Sequence, residues 1–117
     1  MTTVVPVVYV AGPYRGACES EVFSNIVAAR AVAAEVWRLK AVAICPHCNT
    51  AFMGGVVPDK RFLEGDLELL RRSDAVITVE GWERSVGARN EIAEAKEIDL
   101  PVFHQIEHLA NWIRRLG

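Results

Sequence analysis

An α/β fold with a doubly wound parallel sheet of four or five strands, helices on both faces, is predicted by three observations. Short apolar runs alternate with longer stretches of helical period along the whole chain. The first run, Val4 to Ala11, is almost wholly apolar and rich in β-branched residues, as a strand buried on both faces must be. Turn-forming residues follow the first and third strand-like runs, just before the next helical pattern begins.

The elements follow in order. After Val4 to Ala11, the stretch Ser20 to Lys40 is helical, with Val22, Ile26, Ala29, Ala33, Val36 and Trp37 on one face. Ala41 to Cys45 is a short second strand, and Pro46 to Pro58, with Gly54-Gly55, a loop. Asp59 to Ser73 is a helix capped by Asp59, with Phe62, Leu63, Leu69 and Leu70 as its buried stripe. Ala75 to Glu80 is a third strand and Val86 to Ile98 the helix after it. Val102 to His104 is a fourth strand, and Ile106 to Leu116 closes the chain as a helix. With right-handed crossovers, the loops after Ala11, Cys45, Glu80 and His104 open on one edge, where such sheets bind ligands.

Composition narrows the class. The chain has 117 residues, which suits a single domain spanning residues 1–117. Hydrophobic residues make up 51% and charged residues 24%, and the net charge is −2, so no basic footprint for nucleic acid exists. Arg71-Arg72 and Arg114-Arg115 fall late in helices, where cations suit the helix dipole. Met1 to Ala11 lacks a basic leader and reads as a strand rather than a signal peptide. No run approaches the roughly 18 apolar residues of a membrane span. Cys18, Cys45 and Cys48, an odd count, suggest reduced thiols and a cytoplasmic location.

Three segments break the apolar pattern. The first is Gly81-Trp82-Glu83-Arg84-Ser85-Val86-Gly87-Ala88-Arg89-Asn90-Glu91, between a strand and a helix. Ser85, Val86 and Gly87 offer free N–H groups at a helix start, a seat for phosphate. Glu91 shares a face with Ala88, Ala95 and Ile98, so a carboxylate sits on an apolar stripe. Trp82 either stacks on a base or forms the rim. The second is Asp66, in the middle of the Phe62–Leu70 stripe, whereas Glu64 and Glu68 face solvent. The third is the loop Gly12-Pro13-Tyr14-Arg15-Gly16, whose glycines allow close approach and whose Arg15 suits phosphate or carboxylate. It is neither a dinucleotide fingerprint nor a P-loop. Two carboxyls converging on one cavity are the arrangement of glycosyl chemistry, with about 5 Å between them in a retaining mechanism.

Cys45-Pro46-His47-Cys48 is a C-x-x-C sequence, but it follows the second strand and no long helix is predicted after it. Redox catalysis and a zinc site are the weaker readings; Pro46-His47 lining the pocket is the alternative. His104 and His108 stand in no motif.

Together these pieces resemble the nucleoside 2-deoxyribosyltransferase family, from Tyr9 to about Pro101. The likeness rests on Tyr9-Val10-Ala11-Gly12-Pro13-Tyr14-Arg15-Gly16, on Glu64-Gly65-Asp66-Leu67 leading into Ser73-Asp74-Ala75-Val76, and on Ser85-Val86-Gly87-Ala88-Arg89-Asn90-Glu91 followed by Ala95. The wording is similar to the branch that hydrolyses nucleoside 5′-monophosphates and to small phage-associated members. The resemblance implies a flavodoxin-like sheet and a cytoplasmic enzyme of nucleotide metabolism without cofactor or metal. It implies Glu91 as nucleophile at C1′, Asp66 as acid or orienting group, and Tyr9 or Tyr14 near the sugar or nucleophile. Gly12, Arg15, Ser85 and Gly87 would hold the 5′-phosphate, with Pro13, Tyr14 and Gly16 in the same binding loop, and His47 would flank the base. Pro13 stands where the nearest hydrolase branch carries a hydroxyl residue. A homodimer is implied, since a neighbour's C-terminal segment commonly completes the site; Asn111 is the candidate here. The expected activity is that of a hydrolase, a retaining N-glycosidase cleaving a nucleoside 5′-monophosphate. The alternatives are a base-exchanging transferase and a non-catalytic nucleotide-binding protein.

Overall fold

A computed structural model describes residues 4–116. Four strands, β1 (Val7–Ala11), β2 (Val42–Ile44), β3 (Ala75–Thr78) and β4 (Val102–Phe103), form one parallel sheet in the order β2-β1-β3-β4. Tyr9 pairs with Ile44 on one side and Val76 on the other, so β1 and β3 form the centre. The helices are α1 (Glu19–Trp37), α2 (Pro46–Asn49), α3 (Asp59–Arg71), α4 (Val86–Glu97) and α5 (Ile106–Leu116). The architecture is flavodoxin-like, as the alternation of apolar runs predicts.

Pleat alternation divides the central strands between two cores. Val8, Val10, Ala75, Ile77 and Val79 point to α1 and α5, meeting Ala29, Ala33, Val36 and Leu109. Tyr9, Ala11 and Val76 point to α3 and α4, meeting Leu70, Ile92 and Ala95. All five residues of the first core's central strands are essentially water-free, and burial of this kind is the main stabilising contribution.

Several boundaries and faces differ from the sequence expectation. Pro46–Asn49 is one helical turn rather than loop, started by Pro46, whose fixed φ suits a first helical position. Pro58, not Asp59, occupies the N-cap of α3, and no side chain caps it; Asp59 is the first helical residue. Leu63 is 50% exposed, because the α3 stripe is narrower than its apolar content suggests; Phe62 and Leu69 are half-buried and Leu70 is buried. Trp37 and Ile98, at helix ends, are also largely exposed. A 3-10 turn at Trp82–Arg84 separates β3 from α4. Gly81 opens it with φ 89°, a left-handed conformation that glycine adopts without steric penalty.

Strand order reverses between β1 and β3, so the crevice beyond their C-terminal ends is the natural ligand position. The two loops there touch. A Cβ on Gly12 would meet the Val79 side chain at 2.6 Å, and one on Gly81 would come within 3.7 Å of the Pro13 ring. Gly12 is thus required by packing alone.

Candidate active site

Tyr9 places its ring in the α3/α4 core and its hydroxyl against a carboxylate. The phenol donates a hydrogen bond to Glu91 Oε2. Glu91 lies in the second turn of α4, between buried Ala88 and Ala95, as its spacing predicts. Asp66 approaches from α3 and is half-buried. Three chemically active groups from three elements therefore meet on one face of the sheet.

Burial sets their proton affinities. It pushes Glu91 up to about 7; the Tyr9 hydrogen bond opposes that rise and the charge of Asp66 adds to it. Burial pushes Asp66 up to about 6. The Tyr9 phenol is driven far above its ordinary range, by burial first and then by the negative charge of Glu91. Tyr9 is consequently a fixed donor, and Glu91 and Asp66 exchange protons near neutrality.

The helix start beside them is partly committed. Ser85 is the N-cap of α4, and its Oγ accepts from Ala88 N at 3.1 Å. The Ser85 N–H is not free, as the sequence reading had it: it donates to Trp82 O at 3.0 Å, because the 3-10 turn consumes it. Val86 and Gly87 hold the first two helical positions, whose N–H groups have no intrahelical acceptor. Nothing but Ser85 Oγ, at 4.0 Å, stands near a Cβ built on Gly87, so that approach is open.

The β1 loop carries the remaining candidates. Arg15 is exposed and bonds Asp59 at 3.4 Å, a weak surface pair that leaves the guanidinium available. Gly16 packs on Glu21, whose carboxylate accepts from Ala17 N. His47 is buried in α2, and its Nε2–H donates to Pro13 O at 2.7 Å. That bond fixes the tautomer and leaves Nδ1 buried without a partner among the described residues. Tyr14 meets the His47 ring edge-on, with centroids 5.3 Å apart. Burial keeps His47 below its ordinary range, hence neutral.

Trp82 is half-buried and stacks on a protein ring. Its partner is His104, 5.1 Å away and 10° from parallel. His104 Nδ1 bonds Thr78 Oγ1 at 2.9 Å. Sequence reasoning passed over Thr78 and His104; the usable signal was a polar residue at the C-terminal end of each of two neighbouring strands. A groove of about 580 Å³ lies apart from the carboxyls, between α1, β2 and α2, lined by Ala33, Trp37, Ile44, Cys45 and Cys48. Its lining contains no acid, and the proton-handling groups decide the candidate site.

A family model described as Domain of unknown function (DUF7768) matches residues 6–105. The chain belongs to this family. The match runs from Pro6, just before β1, to Gln105, just past β4, and so includes every group of the candidate site. No curated protein matches the chain. No helix among the described residues is long and apolar enough to cross a membrane.

Proposed function

We propose that this domain is a retaining N-glycosidase acting on a nucleoside 5′-monophosphate. The observation that carries the proposal is the Tyr9–Glu91 hydrogen bond with Asp66 beside it. A carboxylate is stranded on a helix's apolar face, oriented by a phenol that does not ionise, and accompanied by a second acid of lower proton affinity.

In the first step ionised Glu91 attacks C1′ as the bond from C1′ to the base nitrogen breaks. The bond's electron pair leaves with the base, which takes a proton from Asp66. In the second step the Asp66 carboxylate removes a proton from water, the water oxygen bonds C1′, and Glu91 departs. Net consumption is one nucleotide and one water; the products are free base and sugar phosphate. The phosphate is held by the Val86 and Gly87 N–H groups at the start of α4, with Arg15 closing over it.

The test is incubation with a panel of ribo- and deoxyribonucleoside monophosphates, with free base measured by chromatography. Base release together with a glycosyl adduct on Glu91 by mass spectrometry is the expected result. No release from any member by folded protein overturns the proposal. Adding a second free base separates hydrolysis from base exchange, which shares the first step.

A further inference from the structure

The C-x-x-C turn remains outside this mechanism, and its geometry is specific. Cys45 is the residue before α2 and Cys48 the third residue within it. Their thiols are free and lie 3.4 Å apart, Sγ to Sγ. A disulfide needs about 2.05 Å. Both residues belong to one helical turn, closed by Cys48 N donating to Cys45 O at 3.0 Å. Side-chain rotation can therefore bring the sulfurs together without moving a strand. Cys48 is exposed and Cys45 half-buried, an asymmetry suited to one attacking and one resolving thiol.

The same turn is wired to the ligand edge. His47, between the cysteines, grips the β1 loop through Pro13 O. Cys45 lies near the Tyr9 phenol. His47 thus joins this turn to the loop that carries Tyr14 and Arg15.

We propose that Cys45 and Cys48 are a reversible dithiol–disulfide modification site whose state is transmitted through His47 to the β1 loop. The oxidant is a small-molecule disulfide. The Cys48 thiolate attacks one of its sulfurs and expels a thiolate. Cys45 loses its proton, attacks Cys48 Sγ and expels the second thiolate. The protein gives up two protons and two electrons, and the small disulfide becomes two thiols. Burial pushes the Cys45 thiol up to about 12, so the second step is the slow one.

The experiment exposes the full chain to excess oxidised glutathione, follows intact mass and records the His47 ring resonance. The expected product has lost two hydrogens, returns to the starting mass with a reducing thiol, and shows a shifted His47 resonance. Cys18→Ser behaves as the parent; Cys45→Ser and Cys48→Ser do not lose the two hydrogens. A stable glutathione adduct on Cys48 of the parent overturns the disulfide. An unmoved His47 resonance in the oxidised form overturns the transmission. Neither readout requires turnover, so both stand apart from the glycosidase reading. If base release is found, oxidation should change it in the parent and not in Cys48→Ser.

Discussion

The two faces of the central sheet are built from the same strands and serve opposite ends. Toward α1 and α5, Val8, Val10, Ile77 and Leu109 belong to one buried apolar cluster. Toward α3 and α4, Tyr9 stands one residue from each of those β1 valines, yet its ring ends in a hydroxyl against Glu91. The first face stabilises the fold. The second spends part of that stability on holding two carboxyls partly out of water, where their protons become mobile near neutral pH. A change on one face should therefore register in stability, and a change on the other in chemistry.

The sharpest way to break this division is Glu91→Gln. The amide preserves size and still accepts from Tyr9, so the fold should persist. Turnover should fall on the order of 10³-fold or more, because no nucleophile remains at C1′. Steady-state release of base from the best substrate measures it; retained turnover would remove Glu91 from the chemistry. The counterpart on the other face is Leu109→Ala. It should cost about 2–5 kcal/mol, the range for a fully buried leucine, with kcat of the folded fraction unchanged. Denaturant unfolding beside single-substrate kinetics checks both halves.

How far this division could be read beforehand depended on what each residue had to violate. Asp66 and Glu91 were legible because a carboxylate on an apolar helix face contradicts the pattern around it. Tyr9 was not legible from pattern, since a tyrosine within a buried strand looks like any core aromatic; only the family resemblance singled it out. The parallel sheet and its burial on both faces followed from apolar runs; the order β2-β1-β3-β4 did not. The Trp82–Arg84 turn did not, because a single 3-10 turn has no periodicity, and it is this turn that consumes the Ser85 N–H. Arg15 pairing with Asp59 and Trp82 stacking on His104 are long-range meetings of residues that local spacing cannot bring together.

Proton linkage sharpens the comparison next. Glu91 binds its proton more tightly in the folded chain, about 7 against an ordinary 4.5. The folded state retains a proton that the unfolded chain releases, so the Glu91 contribution favours folding below about pH 4.5 and is lost as pH rises through 7. The displacement corresponds to about 3 kcal/mol at alkaline pH. Glu91→Gln should therefore be more stable than the parent at pH 8 and nearly equal at pH 4, as thermal unfolding at both values would show. Equal stability gaps at the two pH values would mean that Glu91 is not desolvated. Turnover should follow the same pair: it needs Glu91 ionised and Asp66 protonated, giving a bell with its maximum between about 6 and 7. Asp66→Asn should remove the alkaline limb.

The smallest effect separates two roles that meet in Ser85. Its hydroxyl caps α4, so Ser85→Ala should cost about 1 kcal/mol whether or not phosphate binds there. A raised KM in that variant would be ambiguous, since a frayed helix start also misplaces the Val86 and Gly87 N–H groups. Ser85→Asp resolves this. Aspartate caps as well as serine and suits the positive end of the helix, so stability should match the parent. Its negative charge would nevertheless repel a phosphate seated on the same N–H groups. KM for a nucleoside monophosphate should then rise about tenfold or more, with the unphosphorylated nucleoside unaffected. If both substrates respond alike, the phosphate lies elsewhere and the α4 start serves only to hold Glu91 in place.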